Sequence, residues 1–185
     1  VIFMRELSLN VMDIVQNSIS AGATVIKISV LEEKEKLTIV VTDNGKGMSK
    51  EQVCKVIDPF FTTRTTRKIG MGIPLFKMEA EMTGGSFEIE SDLNQGTKVT
   101  ATFITTHLDM LPLGDINATV WLLITCNPHL DFIFYRRIGH LDFTLNTKEL
   151  KDILGEIPLN APDVSQWLKD YLTEQTALLH GGSMK

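Results

Sequence analysis

Asp43 ends the β-rich run Leu37 to Thr42 and opens the stretch Asp43-Asn44-Gly45-Lys46-Gly47-Met48. A carboxylate at the end of a strand can accept a hydrogen bond from an exocyclic amino group, and two nearby glycines let a flat ring approach the backbone with no Cβ in the way. The stretch therefore suggests an adenine pocket, although Asp-Asn-Gly is also an ordinary turn sequence. Upstream, Asn10, Asp13 and Asn17 recur at i, i+3 and i+7, so they share one side of a helix whose apolar residues occupy the other. Such a face either meets solvent or borders a cavity. In a cavity Asn17 would offer a neutral oxygen to Mg²⁺, which takes most of its other ligands from nucleotide phosphates and water. Asp13, one turn earlier, stands where a general base could orient or deprotonate a hydroxyl or water near a γ-phosphate.

A third group lies between residues 64 and 72. Arg64, Arg67 and Lys68 precede Gly70-Met71-Gly72, which leads directly into a helix. Helix N-terminal amides, glycines that permit close approach and three cations make an anion site, here a phosphate site, with a basic surface loop as the other reading. Two rival motifs fail. Gly70 to Leu75 lacks the third glycine of a dinucleotide fingerprint, and Gly45-Lys46-Gly47 lacks the spacing and the Ser or Thr of a P-loop.

These groups need elements to hold them. Leu7, Val11, Ile14, Val15 and Ile19 recur at helical spacing over Glu6 to Ala21, and Gly22 stands where a helix ends in the left-handed conformation. Thr24 to Leu31 and Leu37 to Thr42 are β-branched runs about the charged tract 32–36, a hairpin. Ser49 and Gln52 form a capping-box pair heading a short helix to about Ile57, stopped by Asp58-Pro59. Residues 60–69 lack regular periodicity. A helix from Gly72 to Thr83 with Pro74 in its first turn leads to strands Ser86 to Ser91 and Thr97 to Thr105 around Asn94-Gln95-Gly96. After His107 the pattern restarts with expected strands at Thr119 to Thr125, Asp131 to Arg137 and Leu141 to Leu145. Helices follow at Thr147 to Leu154 and Asp163 to Leu179, the last with Val164, Trp167, Leu168, Tyr171 and Leu172 on one stripe, expected in the core. Residues 109–114 mark the expected junction between a first domain, 1–106, and a small accessory region, 107–185, although a β-module continuous with the first sheet is also compatible.

Composition narrows the class. With 43% hydrophobic and 22% charged residues the chain is that of a soluble globular protein, and its net charge of -5 argues against a surface footprint for nucleic acid. The longest strongly apolar run, Ala118 to Cys126, is far short of the roughly 20 residues that span a bilayer, and a cytoplasmic location is expected. Cys54 and Cys126 have no paired spacing and are expected to be reduced, buried thiols.

In this order the motifs resemble the GHKL superfamily of ATP-binding domains, which includes sensor histidine kinases, anti-sigma-factor serine kinases and mismatch-repair ATPases. The resemblance covers roughly residues 4 to 104. Residues 13–23 look like the N box, Asp43 to Gly47 the first glycine box, Asp58-Pro59-Phe60-Phe61-Thr62-Thr63 the histidine-kinase F box, Gly70 to Leu75 the second glycine box, and Gly96-Thr97 the pair that closes the pocket. The resemblance implies an α/β two-layer sandwich of the Bergerat type, with helices on one face of a mixed sheet. It implies that Asp43 contacts the adenine amino group, that Asn17 holds Mg²⁺ and that Thr97 supports Asp43 through water. Gly45, Gly47 and Met48 would border the purine. Phe60 to Ile69 would be a mobile lid, with Arg64, Arg67, Lys68, Gly70, Met71 and Gly72 at the phosphates.

The chain departs from the pattern in two places. Ser20 stands where many histidine kinases carry a phosphate-contacting lysine, so the three cations of 64–68 would supply that charge. Asp13 stands where hydrolysing members carry a glutamate one methylene longer. His107, His129, His140 and His180 all follow the ATP region, whereas a histidine kinase presents its phosphoacceptor before it, so the acceptor is expected on another protein or not at all. The expected function is a Mg-ATP-binding domain in bacterial signalling or regulation, acting as a protein kinase or slow ATPase on a partner recognised through 107–185. The alternatives are a non-catalytic, ATP-dependent switch and, in a third class, a DNA-repair ATPase subunit.

Overall fold

The computed structural model describes residues 6–59 and 71–181. Helix α1, Leu7–Ser20, buries Leu7, Val11, Ile14 and Val15 on one stripe, and Gly22 follows its end at φ +77°. Strands β1, Val25–Glu33, and β2, Lys36–Asp43, pair antiparallel with Glu33 opposite Lys36, so the turn is only Lys34 and Glu35. The charged tract therefore contributes its ends to the strands. Helix α2, Lys50–Val56, opens on the expected capping box: Ser49 Oγ accepts from Gln52 N–H at 3.2 Å and Gln52 Oε1 from Ser49 N–H at 2.8 Å. Helix α3, Gly72–Met82, is pinned to the sheet by Phe76, whose ring lies 5.4 Å from that of Phe103 and 6.5 Å from that of Phe87. Strands β3, Ser86–Asp92, and β4, Gly96–Ile104, form the next hairpin.

The second half differs from its sequence expectation at one element. Thr119 to Thr125, expected as a strand, lies inside helix α4, Ile116–Cys126. Its β-branched residues favour a strand locally, but Asp115 caps the helix by accepting from Ala118 N–H at 2.9 Å. Ile116, Val120, Leu123 and Ile124 then fall at helical spacing and are buried. Strand β5, Asp131–Ile138, and strand β6, Leu141–Asn146, are followed by helix α5, Thr147–Leu154, and helix α6, Pro162–Leu179.

The six described strands make one mixed sheet in the order β3-β4-β2-β1-β5-β6, parallel among them only between β1 and β5. The strands after residue 107 thus extend the first sheet, as in the continuous arrangement weighed from sequence. Leu37, Ile39 and Val41 of β2, Val99, Ala101 and Phe103 of β4, and Phe132 and Phe134 of β5 all turn to the helical layer. The fold is the expected α/β two-layer arrangement. A buried Arg136 on β5 pairs with Glu32 of β1 at 3.2 Å and ties the added strands to the first ones.

The connection between the halves also caps a helix. Leu7 N–H and Ser8 N–H, orphan donors at the start of α1, reach Pro112 O at 3.0 Å and Leu113 O at 2.9 Å. Two local expectations are corrected. Cys54 and Cys126 are exposed, because α2 buries none of its residues and Cys126 is the last residue of α4. On α6, Leu168 and Leu172 are core, but Trp167 is 47% exposed and stacks on half-buried Tyr171 at 5.0 Å. The apolar stripe is wider than the surface available to bury it. No described helix is long and apolar enough to cross a membrane.

Candidate functional site

The end of β2 brings three elements together. Asp43 is nearly buried and both of its carboxylate oxygens are engaged: Gly45 N–H donates to Oδ1 at 2.8 Å and Ser18 Oγ donates to Oδ2 at 2.6 Å. Asn44 braces the turn from outside, its Oδ1 accepting from Thr24 N–H and Val25 N–H at 2.8 and 2.9 Å. Each carboxylate oxygen has a second lone pair, so Asp43 retains acceptor capacity. Beside it lies a cavity of about 230 Å³ walled by Ile14, Val41, Val56, Ile73 and Val99, with Asn17, Asp43, Lys46 and Thr97 as polar lining. Apolar walls around one buried carboxylate suit a flat heterocycle with an amino group.

Close approach requires a glycine at position 47 and leaves little room for a side chain at position 45. A Cβ on Gly47, which has φ +63°, would stand 1.9 Å from Asp92 O, and one on Gly45 would stand 3.0 Å from Ala21 O. The first glycine loop is held to β3 and β4 by Ser91, whose Oγ accepts from Met48 N–H at 2.9 Å, donates to Gly96 O at 2.9 Å and lies 2.8 Å from Thr97 Oγ1. Thr97 is the register partner of Asp43 across β2 and β4.

On α1 the three polar residues diverge. Asn17 lines the cavity. Asp13 does not; it packs against the first residue of α3, where a Cβ on Gly72 would meet Asp13 Cβ at 2.7 Å. Partial burial pushes the Asp13 carboxyl above the usual aspartate range. Asn10 is fully buried, a place the polar-face reading did not foresee, and donates from Nδ2 to Glu79 Oε2 of α3 at 2.7 Å.

The structure thus brings Asn17, Asp43, Gly45, Gly47, Met48 and Thr97 into one neighbourhood, with Asp13 and Gly72 beside it. Met71 stands at the N-cap position of α3 without a capping side-chain hydrogen bond and is half exposed. Phe60, Arg64, Arg67, Lys68 and Gly70 lie outside the described residues. Sequence reasoning missed Ser18, Ser91 and Glu79. The Asn-Ser dipeptide at 17–18 was a usable signal for the first, since Ser18 is one turn from the cavity-lining Ile14; nothing local marks the other two.

Comparison with known proteins agrees with this fold. Residues 4–107 match the family described as histidine kinase-, DNA gyrase B-, and HSP90-like ATPase, and the chain belongs to that family. It is 36% identical over 81 residues to sporulation kinase D of Bacillus subtilis, covering 44% of this chain and 15% of that protein. It is 32% identical over 99 residues to a probable C4-dicarboxylate sensor kinase of Halalkalibacterium halodurans, covering 50% of this chain and 19% of that one. The chain therefore spans under a fifth of the length of these two curated relatives. The ATPase domain of Aquifex aeolicus MutL complexed with ADP shares the fold, with a TM-score of 0.53 and 14% identity over 98% of this chain and 99% of that one.

Proposed function

We propose that this chain binds Mg-ATP in the cavity beside Asp43 and uses it to regulate, phosphorylate or drive a separate protein, in the manner of a signalling ATPase domain. The observation that carries the proposal is a nearly buried carboxylate, fixed by Ser18 and Gly45, against a wall of Ile14, Val41, Ile73 and Val99. That wall accepts the purine faces and Asp43 its amino group. Asn17 supplies a neutral oxygen toward magnesium, whose remaining ligands would be phosphate and water oxygens. By the family resemblance Arg64, Arg67 and Lys68 would contact the phosphates together with Gly70, Met71 and Gly72, and Phe60 would begin the lid of 60–69. Bound Mg-ATP supplies the transferable phosphoryl group and neutralises its charge.

Asp13 then accepts a proton from a water or hydroxyl directed at the terminal phosphate. Its burial supports this role, because a carboxylate with a raised pKa is a stronger base. Residues 1–106 form the nucleotide unit and 107–185 an accessory region that recognises the partner. The reading implies a cytoplasmic site of action.

A second reading, a non-catalytic switch that binds ATP and acts by association, is favoured by one observation: Asp13 is not among the residues lining the cavity. Radiolabelled ATP, with and without cell extract, separates the two. Phosphate release or transfer supports the enzyme; retained but unreacted nucleotide supports the switch. If calorimetry with millimolar ATP and magnesium gives no heat, both readings fail.

A further inference from the structure

The contact between α1 and α3 ends, away from the cavity, in an amide and a carboxyl that do not fully satisfy each other. Asn10 is completely buried. Its Nδ2 donates to Glu79 Oε2 at 2.7 Å, but its Oδ1 has no hydrogen-bond partner among the described residues. A buried acceptor left unpaired is destabilising, because it has lost its water without gaining a partner. An ionised Glu79 cannot relieve it, having only acceptors; a neutral Glu79 has one O–H to give. With that proton in place a closed pair would become possible, the observed amide N–H to carboxyl oxygen joined by a carboxyl O–H to the amide oxygen.

We propose that Glu79 and Asn10 form a proton-operated clasp between α3 and α1, closed when Glu79 is neutral, that holds the nucleotide-side end of α3 in place. Glu79 lies seven residues, about 10 Å of helix, from Gly72, which packs on Asp13. A loosened α3 would shift the Gly72 backbone that abuts Asp13, the proposed general base.

Burial, opposed by the Asn10 hydrogen bond, pushes the Glu79 carboxyl up to about 7. The groups around Glu79 fit this. From α1 it faces Asn10, with Asp13 the next acidic group toward the cavity. Within one turn stand Leu75, Phe76 and Met82 of α3 and its C-cap Thr83, while Lys77 pairs with Glu81 at 4.0 Å. The strands beneath turn apolar side chains such as Phe87 and Phe103 toward the helix.

For a carboxyl whose folded pKa exceeds its unfolded one, the folded state binds the extra proton. Stability is then greatest below about 4.5 and declines as pH rises through about 7.

Glu79→Gln tests this, because glutamine presents the same donor and acceptor at every pH. The clasp itself is independent of the nucleotide reading; its effect on affinity rests on that reading. Urea unfolding at pH 6 and pH 8 should show the wild-type midpoint falling and the variant's falling much less. Carbon NMR of the labelled Glu79 carboxyl should titrate near neutrality. ATP affinity of the wild type should drop about five-fold from pH 6 to pH 8, the low end of intramolecular coupling, beyond whatever change the variant shows. Equal pH dependence of unfolding in both proteins overturns the clasp, and so does a Glu79 that titrates in the ordinary glutamate range. If unfolding and NMR behave as expected but neither protein binds ATP at either pH, the clasp stands and the nucleotide reading falls. If ATP binds with the same pH dependence in both, the link from clasp to site is overturned.

Discussion

Ser18 Oγ stands 2.6 Å from Asp43 Oδ2 and donates to it, joining the helix of the cavity-lining Asn17 to the carboxylate at the end of β2. The same oxygen lies 3.3 Å from Ile14 O of its own helix, the longer alternative for its single proton. With Gly45 N–H on the other oxygen, the carboxylate plane is held before any ligand arrives. Such pre-organisation lowers the ordering cost of binding.

Asp43→Ala should weaken ATP binding by about 1.5 to 3 kcal/mol, roughly 10- to 100-fold, the size of a lost hydrogen bond to a charged group. Ser18→Ala should cost less, about 1 kcal/mol, because Asp43 remains with one fixed oxygen. Calorimetric titration of both variants checks the order. An Asp43→Ala protein with wild-type affinity would mean that the adenine amino group is recognised elsewhere.

Asp13→Asn should abolish phosphate release or transfer, by at least about 100-fold, with ATP affinity nearly unchanged. The base works deprotonated, and its pKa is raised by burial. Activity should therefore fall on acidification at a higher pH than an ordinary aspartate would give. A pH–rate profile, with any phosphate release measured by a coupled assay, is the check.

Gly47→Ala should destabilise the fold by about 2 to 4 kcal/mol, combining left-handed strain with displacement of Asp92 backbone. Gly139→Ala, which shares a positive φ but has nothing within 4 Å, should cost only the strain, about 1 kcal/mol. Urea unfolding of the pair separates the two contributions.

Glu32→Ala should destabilise by about 3 kcal/mol, since it leaves the buried Arg136 guanidinium, whose Nε already lacks a partner among the described residues, without its carboxylate. Arg136→Met in the same background should recover part of the loss. Thermal melting of the single and double variants measures the coupling; simple additivity would show that the pair does not hold β5 to β1.

Much of this protein is legible along its chain because local physics decides it. Helical spacing of Leu7, Val11 and Ile14, alternation through Leu37 to Val41, the Ser49 and Gln52 capping pair and the Gly72 helix start each depend on residues a few positions apart. Their order gave the fold class and the neighbourhood of Asp43, Gly45, Gly47 and Asn17. What the tertiary structure alone decided depends on residues distant in sequence. Thr119 to Thr125 became helix because one face could be buried against α1 and α6, which outweighs its β-branched preference. Arg136 met Glu32 because β5 runs parallel beside β1. Asn10, which shares a polar face with Asp13 and Asn17, went into the core because α3 offered it Glu79. A side chain's partner sixty-nine residues away leaves no mark on the residues beside it, and the burial that lifts the Glu79 carboxyl exists only once two helices have packed.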